Sequence, residues 1–173
     1  MALIFLIPVL IALAVPIFTR SRMYSRETAA IQAVRTIHTA EVQYQSQYGR
    51  YAASLTELGP PAGGAPNASA ADLIGNDLAN GEKQGYKFTV APVPGGYTIN
   101  AVPVAYGGSG SRSFYSDQTM AIRANEGPEP ATAQSKELRY VGNSLPASSG
   151  VVPALIILTL ITIAVLQLSR KRS

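Results

Sequence analysis

The sequence predicts an α+β chain: a long N-terminal helix, part membrane and then part amphipathic, packed on a four-stranded antiparallel sheet and followed by a C-terminal transmembrane helix. Three observations predict it. Residues 2–18 and 151–168 carry no charged side chain, although charged residues make up 14% of the 173-residue chain. Apolar residues between 21 and 51 recur at three- and four-residue steps, the stripe of a helix with one buried face. Beyond residue 86 the period changes to two, which marks half-buried strands.

Residues 2–18 form a helix of about 25 Å, just enough to reach across a hydrocarbon core of about 30 Å. Pro8 and Pro16 interrupt the block, and Pro16 is the expected kink. A cleaved secretory signal fits poorly, since no Lys or Arg precedes the block and Ala12-Leu-Ala14 lies inside it. Residues 19–50 continue as the amphipathic part, with Ala30, Val34, Ile37, Ala40, Tyr44 and Tyr48 as its packing stripe. Gly49 stands where a C-terminal cap would end it. Residues 51–85 are a loop region around Pro60-Pro-Ala-Gly-Gly-Ala-Pro66, with short helical turns over 54–58 and 72–78 capped by Ser54 and Asp72.

The sheet is expected over residues 86–124. Tyr86, Phe88 and Val90 alternate, residues 92–95 turn, and Tyr97, Ile99 and Ala101 alternate again. After Gly107-Gly-Ser-Gly110, strands over 112–116 and 119–123 meet across a two-residue turn at Asp117-Gln118. That register sets Tyr115 opposite Met120 and Ser113 opposite Ile122. Residues 125–150, rich in Pro, Ala, Glu, Ser and Gly, read as a linker. The apolar block 151–168 then reads as a second span, and the basic tail 169–173 as its stop-transfer signal.

The charge distribution points to a membrane. Lys and Arg total 14 against 10 Asp and Glu, a net charge of +4. Between Glu27 and Arg139, however, eight basic residues face ten acidic ones, so the middle is acidic. The surplus lies in Arg20, Arg22 and Arg26 after the first apolar block, and in Arg170, Lys171 and Arg172 after the second. Basic residues beside apolar blocks meet lipid headgroups, whereas a nucleic-acid binder carries them as a patch on its folded domain. The expected partner is therefore the lipid bilayer and not nucleic acid. The basic tail places the C-terminus in the cytoplasm and the middle outside it, with Arg20, Arg22 and Arg26 against the positive-inside rule.

The composition argues against an enzyme. The chain has no Cys and one His, so thiolate chemistry, a His-based metal cluster and a Ser-His-Asp triad lack their residues. No catalytic, cofactor-binding or metal-ligating residues are assigned, and no cofactor is expected. His38 falls one residue off the apolar stripe and reads as helix surface. Asp72, Asp77 and Glu82 lack calcium-loop spacing and read as caps and turns. Gly107-Gly-Ser-Gly110 lacks the lysine and strand-to-helix setting of a phosphate loop. Leu145-Pro-Ala-Ser-Ser-Gly150 has the layout of a surface-sorting signal but departs from the sortase consensus beyond Leu-Pro and a hydroxyl residue.

Ala14-Val-Pro-Ile-Phe-Thr-Arg-Ser-Arg-Met23, with Pro16 at the mid-helix proline, resembles the long helix of type IV pilins and type II secretion major pseudopilins. Ala33-Val-Arg-Thr-Ile-His-Thr-Ala-Glu-Val-Gln-Tyr44 with Tyr48-Gly49 resembles its descending part, and Ser113-Phe-Tyr-Ser-Asp-Gln-Thr119 with Ala121-Ile-Arg-Ala124 resembles the last hairpin. The resemblance covers about residues 9–130 and is weak in the loop. It implies a pilin-like structural or accessory subunit of a pilus or type II secretion apparatus, with the head in the periplasm or outside the cell. Its partners would be other pilin-like subunits or assembly proteins.

The chain also departs from that family. No basic leader or Gly precedes Met1, and counting back from Pro16 puts the family's glutamate upstream of Met1, with Phe5 near its place when counted forward. The expected second span would oppose extraction from the bilayer. The alternative expectation is therefore a two-span, non-polymerising binding module with a pilin-like head outside the cytoplasm.

Overall fold

The computed structural model describes residues 2–138, with side chains from Arg20 onward. Residues 139–173 lie outside it, including the expected span over 151–168 and the tail cations Arg170, Lys171 and Arg172. The elements are α1 (Ala2–Tyr48), α2 (Leu55–Leu58), α3 (Asn76–Ala79), β1 (Glu82–Lys83), β2 (Tyr86–Val93), β3 (Gly96–Pro103), β4 (Ser113–Asp117), β5 (Arg123–Asn125) and β6 (Lys136–Glu137).

Two parts of the expected architecture are overturned. The sheet has six strands, not four: an antiparallel meander in the order β1-β2-β3-β4-β5-β6. Its extra members are two-residue edge strands, too short to show any periodicity. Among the described residues, no helix is long and apolar enough to cross a membrane, so the transmembrane elements of the expected architecture are not supported.

α1 is one uninterrupted helix through Pro8 and Pro16. It stops at Gly49, whose amide bonds back to the Gln45 carbonyl at 2.9 Å with φ at +72°. A Cβ there would meet nothing within 4 Å, so it is the left-handed backbone and not crowding that favours glycine. Ala30, Val34, Ile37, Ala40 and Tyr44 are all buried, and Tyr48 is half-buried with its ring 4.7 Å from that of Tyr44.

The stripe is covered by one face of the sheet. Phe88, Ala101, Phe114 and Ala124 stand opposite one another across β2, β3, β4 and β5 and form a buried row. The β2–β3 hairpin turns at Pro94-Gly95, with Gly95 at φ +75°, so Pro92 and Val93 belong to the strand. The β4–β5 register differs from expectation: Tyr115 pairs with Arg123 and Ser113 with Asn125. The connection is longer because the Asp117 carboxylate accepts the Thr119 amide, the Met120 amide bonds to the Asp117 carbonyl, and Met120 takes φ +62°. An Asx turn followed by a left-handed residue replaces the two-residue turn.

Residues 125–138 belong to the head and not to a linker. Ala131 is buried, the Ser113 hydroxyl donates to the Glu129 carbonyl, and the Leu138 amide donates to the Ile122 carbonyl. Ser54 precedes α2 without a side-chain cap bond, and Gly75, not Asp72, precedes α3. Ile37 sits fully buried at the centre of the helix stripe. Ile37→Ala is expected to lower unfolding free energy by about 2–5 kcal/mol in urea titration, since the surrounding sheet cannot collapse onto the void.

Candidate functional site

Three polar side chains lie on the buried face of α1: Glu27, His38 and Glu41. They fall in the same three- and four-residue series as the apolar stripe, so the helix carries them into the core whether or not they are welcome there.

Glu27 marks the end of the head nearer residue 20. Its Oε1 accepts the Ser111 amide and hydroxyl, both at 2.8 Å. Its Oε2 accepts Arg112 Nε at 2.9 Å and Nη2 at 2.7 Å. Burial alone would raise its pKa, but the Ser111 amide, the Ser111 hydroxyl and the Arg112 guanidinium outweigh it and hold the carboxyl below the ordinary glutamate value. A carboxylate with four donors stays ionised.

His38 is buried, which corrects its placement on the helix surface. Nδ1 lies 2.7 Å from the Tyr97 hydroxyl and Nε2 2.8 Å from the Ser116 hydroxyl. Ser116 Oγ is also 2.9 Å from the Ala121 carbonyl, which can only accept, so Ser116 donates there. Nε2–H then donates to Ser116, and Tyr97 donates to Nδ1. The chain of bonds is complete with a neutral ring. Burial lowers the His38 pKa, opposed by the Asp117 carboxylate. Ser116 is fully buried, so this Ser-His pair offers no nucleophile to a substrate.

Glu41 is the least satisfied of the three. Oε2 accepts the Ala52 amide at 2.9 Å, which fastens the chain reversal after α1 to the helix. Oε1 is buried without a partner. Burial pushes this carboxyl up to about 7; the Ala52 amide and Arg50 oppose the shift and Glu57 adds to it. Glu57, by contrast, is drawn down against its own burial by Arg50, the Ala53 amide and the Tyr44 hydroxyl.

The opposite face of α1 is exposed. Thr28, Gln32, Thr36, Thr39, Gln43 and Ser46 follow one another at helical spacing, with Val42 beside them 46% exposed. None of them is charged. Arg35 flanks the row, half-buried. The threonine hydroxyls donate back along the helix: Thr28 to the Tyr24 carbonyl, Thr36 to the Gln32 carbonyl and Thr39 to the Arg35 carbonyl, at 3.0, 3.0 and 3.2 Å. With these hydroxyls engaged, each threonine offers a neighbour chiefly its methyl group.

Arg20 and Arg22 are exposed, and Arg26 is half-buried with Nη1 donating to the Gly108 carbonyl at 3.3 Å. Asp77 is bonded to Lys83 at 2.9 Å. At the far end, a cleft of about 460 Å³ is lined mainly by Gln45, Arg50, Tyr51, Pro92 and Val93. It offers no carboxylate or imidazole to a substrate, and its one cation is engaged by Glu57 at 2.8 Å.

Glu27 and Glu41 are not among the residues the sequence singles out, and His38 is expected on the surface, because an apolar stripe passes over polar positions; a charge in that series was the available signal. The neutral outer row was equally visible, as the absence of charge from 28 to 47 apart from Arg35 and Glu41. No protein-family model, curated protein or solved structure matches this chain.

Glu27→Gln removes the anion facing Arg112 and is expected to cost about 3–5 kcal/mol, because a partly buried guanidinium loses its charge partner; chemical denaturation at neutral pH measures it. The depressed Glu27 pKa gives stability present above the unfolded value of about 4.5 and lost as pH falls through the folded one. Glu41 has the opposite sign. Its folded pKa lies above 4.5, so its cost is absent below 4.5, grows as pH rises towards 7 and is constant above. Glu41→Gln is therefore expected to match the parent near pH 4.5 and to exceed it by up to about 3 kcal/mol above pH 7. A gap independent of pH would show that Glu41 does not titrate in that window.

Proposed function

We propose that the protein is a pilin-like structural or accessory subunit of a type IV pilus or type II secretion apparatus, with its head outside the cytoplasm at the inner membrane, acting by helix packing and not by catalysis. The observation that carries this proposal is the outer face of α1, where the exposed row from Thr28 to Ser46 is uncharged and half-buried Arg35 is its one charged neighbour. A helix face left to water normally carries charged residues among its polar ones, at about the quarter to third typical of soluble surfaces. Here the row from Thr28 to Ser46, about 27 Å long at helical rise, has none.

Such a row is easy to dehydrate. The hydroxyls of Thr28, Thr36 and Thr39 keep their intrahelical bonds when water leaves, so burying them strands no donor. Gln32, Gln43 and Ser46 can pair across a helix–helix contact, and small side chains allow close approach. The inner face is already committed to the sheet. A neighbouring helix, from a second copy or a related subunit, is the partner that fits the outer one. The chain's resemblance to pilins, whose helices pack together in filaments, supports the same conclusion, and residues 2–18 carry no charge either.

The chain has no cysteine, so single cysteines report contacts cleanly. Cysteines introduced at Thr36 or Thr39 are expected to cross-link between copies or to a co-expressed pilin-like subunit, while one at Thr89, on the exposed face of β2, does not. Thr36→Glu with Thr39→Glu is expected to abolish that assembly while moving the unfolding free energy by less than about 1 kcal/mol, as both sites are exposed. Equal cross-linking at all three positions, or assembly unaffected by the two glutamates, would refute the proposal.

A further inference from the structure

We propose that Asn67 is a glycosylation site, its carboxamide nitrogen carrying an N-linked oligosaccharide taken from a polyprenyl-pyrophosphate donor. This goes beyond the packing of α1. It rests on the proposed function only for the position of the head outside the cytoplasm, where such transfer takes place.

The chain holds six asparagines, and Asn67 alone has a hydroxyl residue two positions on, in Asn67-Ala-Ser69. The other five have Leu78, Glu82, Val102, Gly127 and Leu145 there. Neither Ala68 nor Ala70 is a proline, which would block the acceptor sequence from within or directly after it. Three residues of the right type are a weak signal by themselves, so the structure has to decide whether they form a site.

It places them where an acceptor must be. Residues 62–67 are all exposed, and so is Ser69. They lie between α2 and α3, so no helix or sheet ladder has to break for a transferase to grip the chain. The Asn67 side-chain oxygen accepts the Ser69 amide at 2.9 Å, an Asx turn that folds the carboxamide and residue 69 towards each other. The oxygen is thereby used and the nitrogen left accessible, with one long contact of 3.4 Å to the Ala65 carbonyl. Mutual backbone bonds of 3.0 Å between Asn67 and Ala70 close the turn. The Tyr44 hydroxyl donates to the Ala68 carbonyl at 2.6 Å and the Ala71 amide to the Glu57 carbonyl at 2.8 Å, so the exposed turn is pinned to the head. Tyr44 belongs to the buried face of α1, so a sugar on this loop stands off the outer row, and glycosylation and helix packing are compatible.

Transfer forms a bond from Nδ2 of Asn67 to the anomeric carbon of the sugar. The bond from that carbon to the pyrophosphate oxygen breaks, and the polyprenyl pyrophosphate leaves with the electron pair. Nδ2 gives up one of its two hydrogens as a proton, to a carboxylate of the transferase. The Ser69 hydroxyl is unchanged by the reaction and serves recognition.

Intact-mass spectrometry of the full chain from its native host is expected to show the added mass of one oligosaccharide. Asn67→Gln and Ser69→Ala should each lose it entirely, and Ser69→Thr should keep it. Ser69→Ala retains the backbone amide that bonds to Asn67, so its effect reads the hydroxyl and not the turn. An unmodified chain, an added mass that survives Asn67→Gln, or a sugar released from the Ser69 oxygen by alkaline elimination overturns the proposal. Labelling of Thr89→Cys by an impermeant reagent in intact cells reads the position of the head separately. An unmodified Asn67 on a labelled head sinks this inference alone; a label taken up only after lysis sinks the external position and this inference with it.

Discussion

The structure depends on the fixed register of one helix against one sheet, and polar groups fix that register. Apolar contacts along Ala30, Val34, Ile37 and Tyr44 would tolerate a small slide or roll of α1. The Glu27 carboxylate would not, because four donors from Ser111 and Arg112 converge on its two oxygens. Nor would His38, whose two ring nitrogens need Tyr97 on β3 and Ser116 on β4 together. A roll of one residue turns these groups by about 100° and leaves buried polar atoms without partners, at several kcal/mol for the carboxylate alone. Hydrophobic burial holds the layers together, while the polar line decides where along the sheet the helix sits.

The two buried glutamates show how completely surroundings set a carboxyl's state. Glu27 and Glu41 occupy the same face of the same helix, fourteen residues apart. One meets four donors and stays an anion; the other meets one backbone amide, with Glu57 nearby, and takes up its proton near neutral pH. Glu41 secures the reversal at Ala52 in a largely apolar setting. His38 has the opposite sign of coupling: burial keeps it neutral, and its contribution is lost as pH falls below about 6.5 and the unfolded chain gains a proton. Glu41 thus favours acid while His38, on the adjacent turn, and Glu27 favour base.

Much of this was legible from residue spacing. The stripe from Ala30 to Tyr48, the end of α1 at Gly49, and the alternation through Tyr86, Phe88, Tyr97, Ile99 and Ala101 are consequences of periods 3.6 and 2, which a sequence displays directly. The β4–β5 register was not legible, because an Asp117 side chain and a left-handed Met120 lengthened the loop that Asp117-Gln118 was expected to close. The edge strands β1 and β6 were not, because two residues carry no period. His38 is the instructive failure. One position off the apolar stripe looked like surface, yet a ring with two hydrogen-bonding nitrogens can be buried wherever the sheet supplies two hydroxyls. Tyr97 and Ser116, 59 and 78 residues away, are beyond any local pattern.

The outer face of α1 poses a physical problem that the isolated head does not solve. The inner face tolerates Glu27 because the fold supplies four donors to it, and carries Glu41 with one donor and one buried oxygen left without a partner. On the outer face, water would solvate any charge at no cost, so sequence drift there should admit lysine and glutamate freely, with i,i+4 pairs adding a little stability. Instead the row holds threonine, glutamine and serine, residues of indifferent-to-good helix propensity that contribute nothing special to a solvated surface. The three threonines even spend their hydroxyls on their own helix, a choice that slightly weakens it. Neutrality maintained along about 27 Å makes sense where charge would be costly, which is a place that loses its water. The end near Arg20 and Arg22 has the reverse character, cationic and aromatic. A single helix thus carries three surfaces of different chemistry: a buried face committed to the sheet, an outer row without charge, and a cationic end at Arg20 and Arg22.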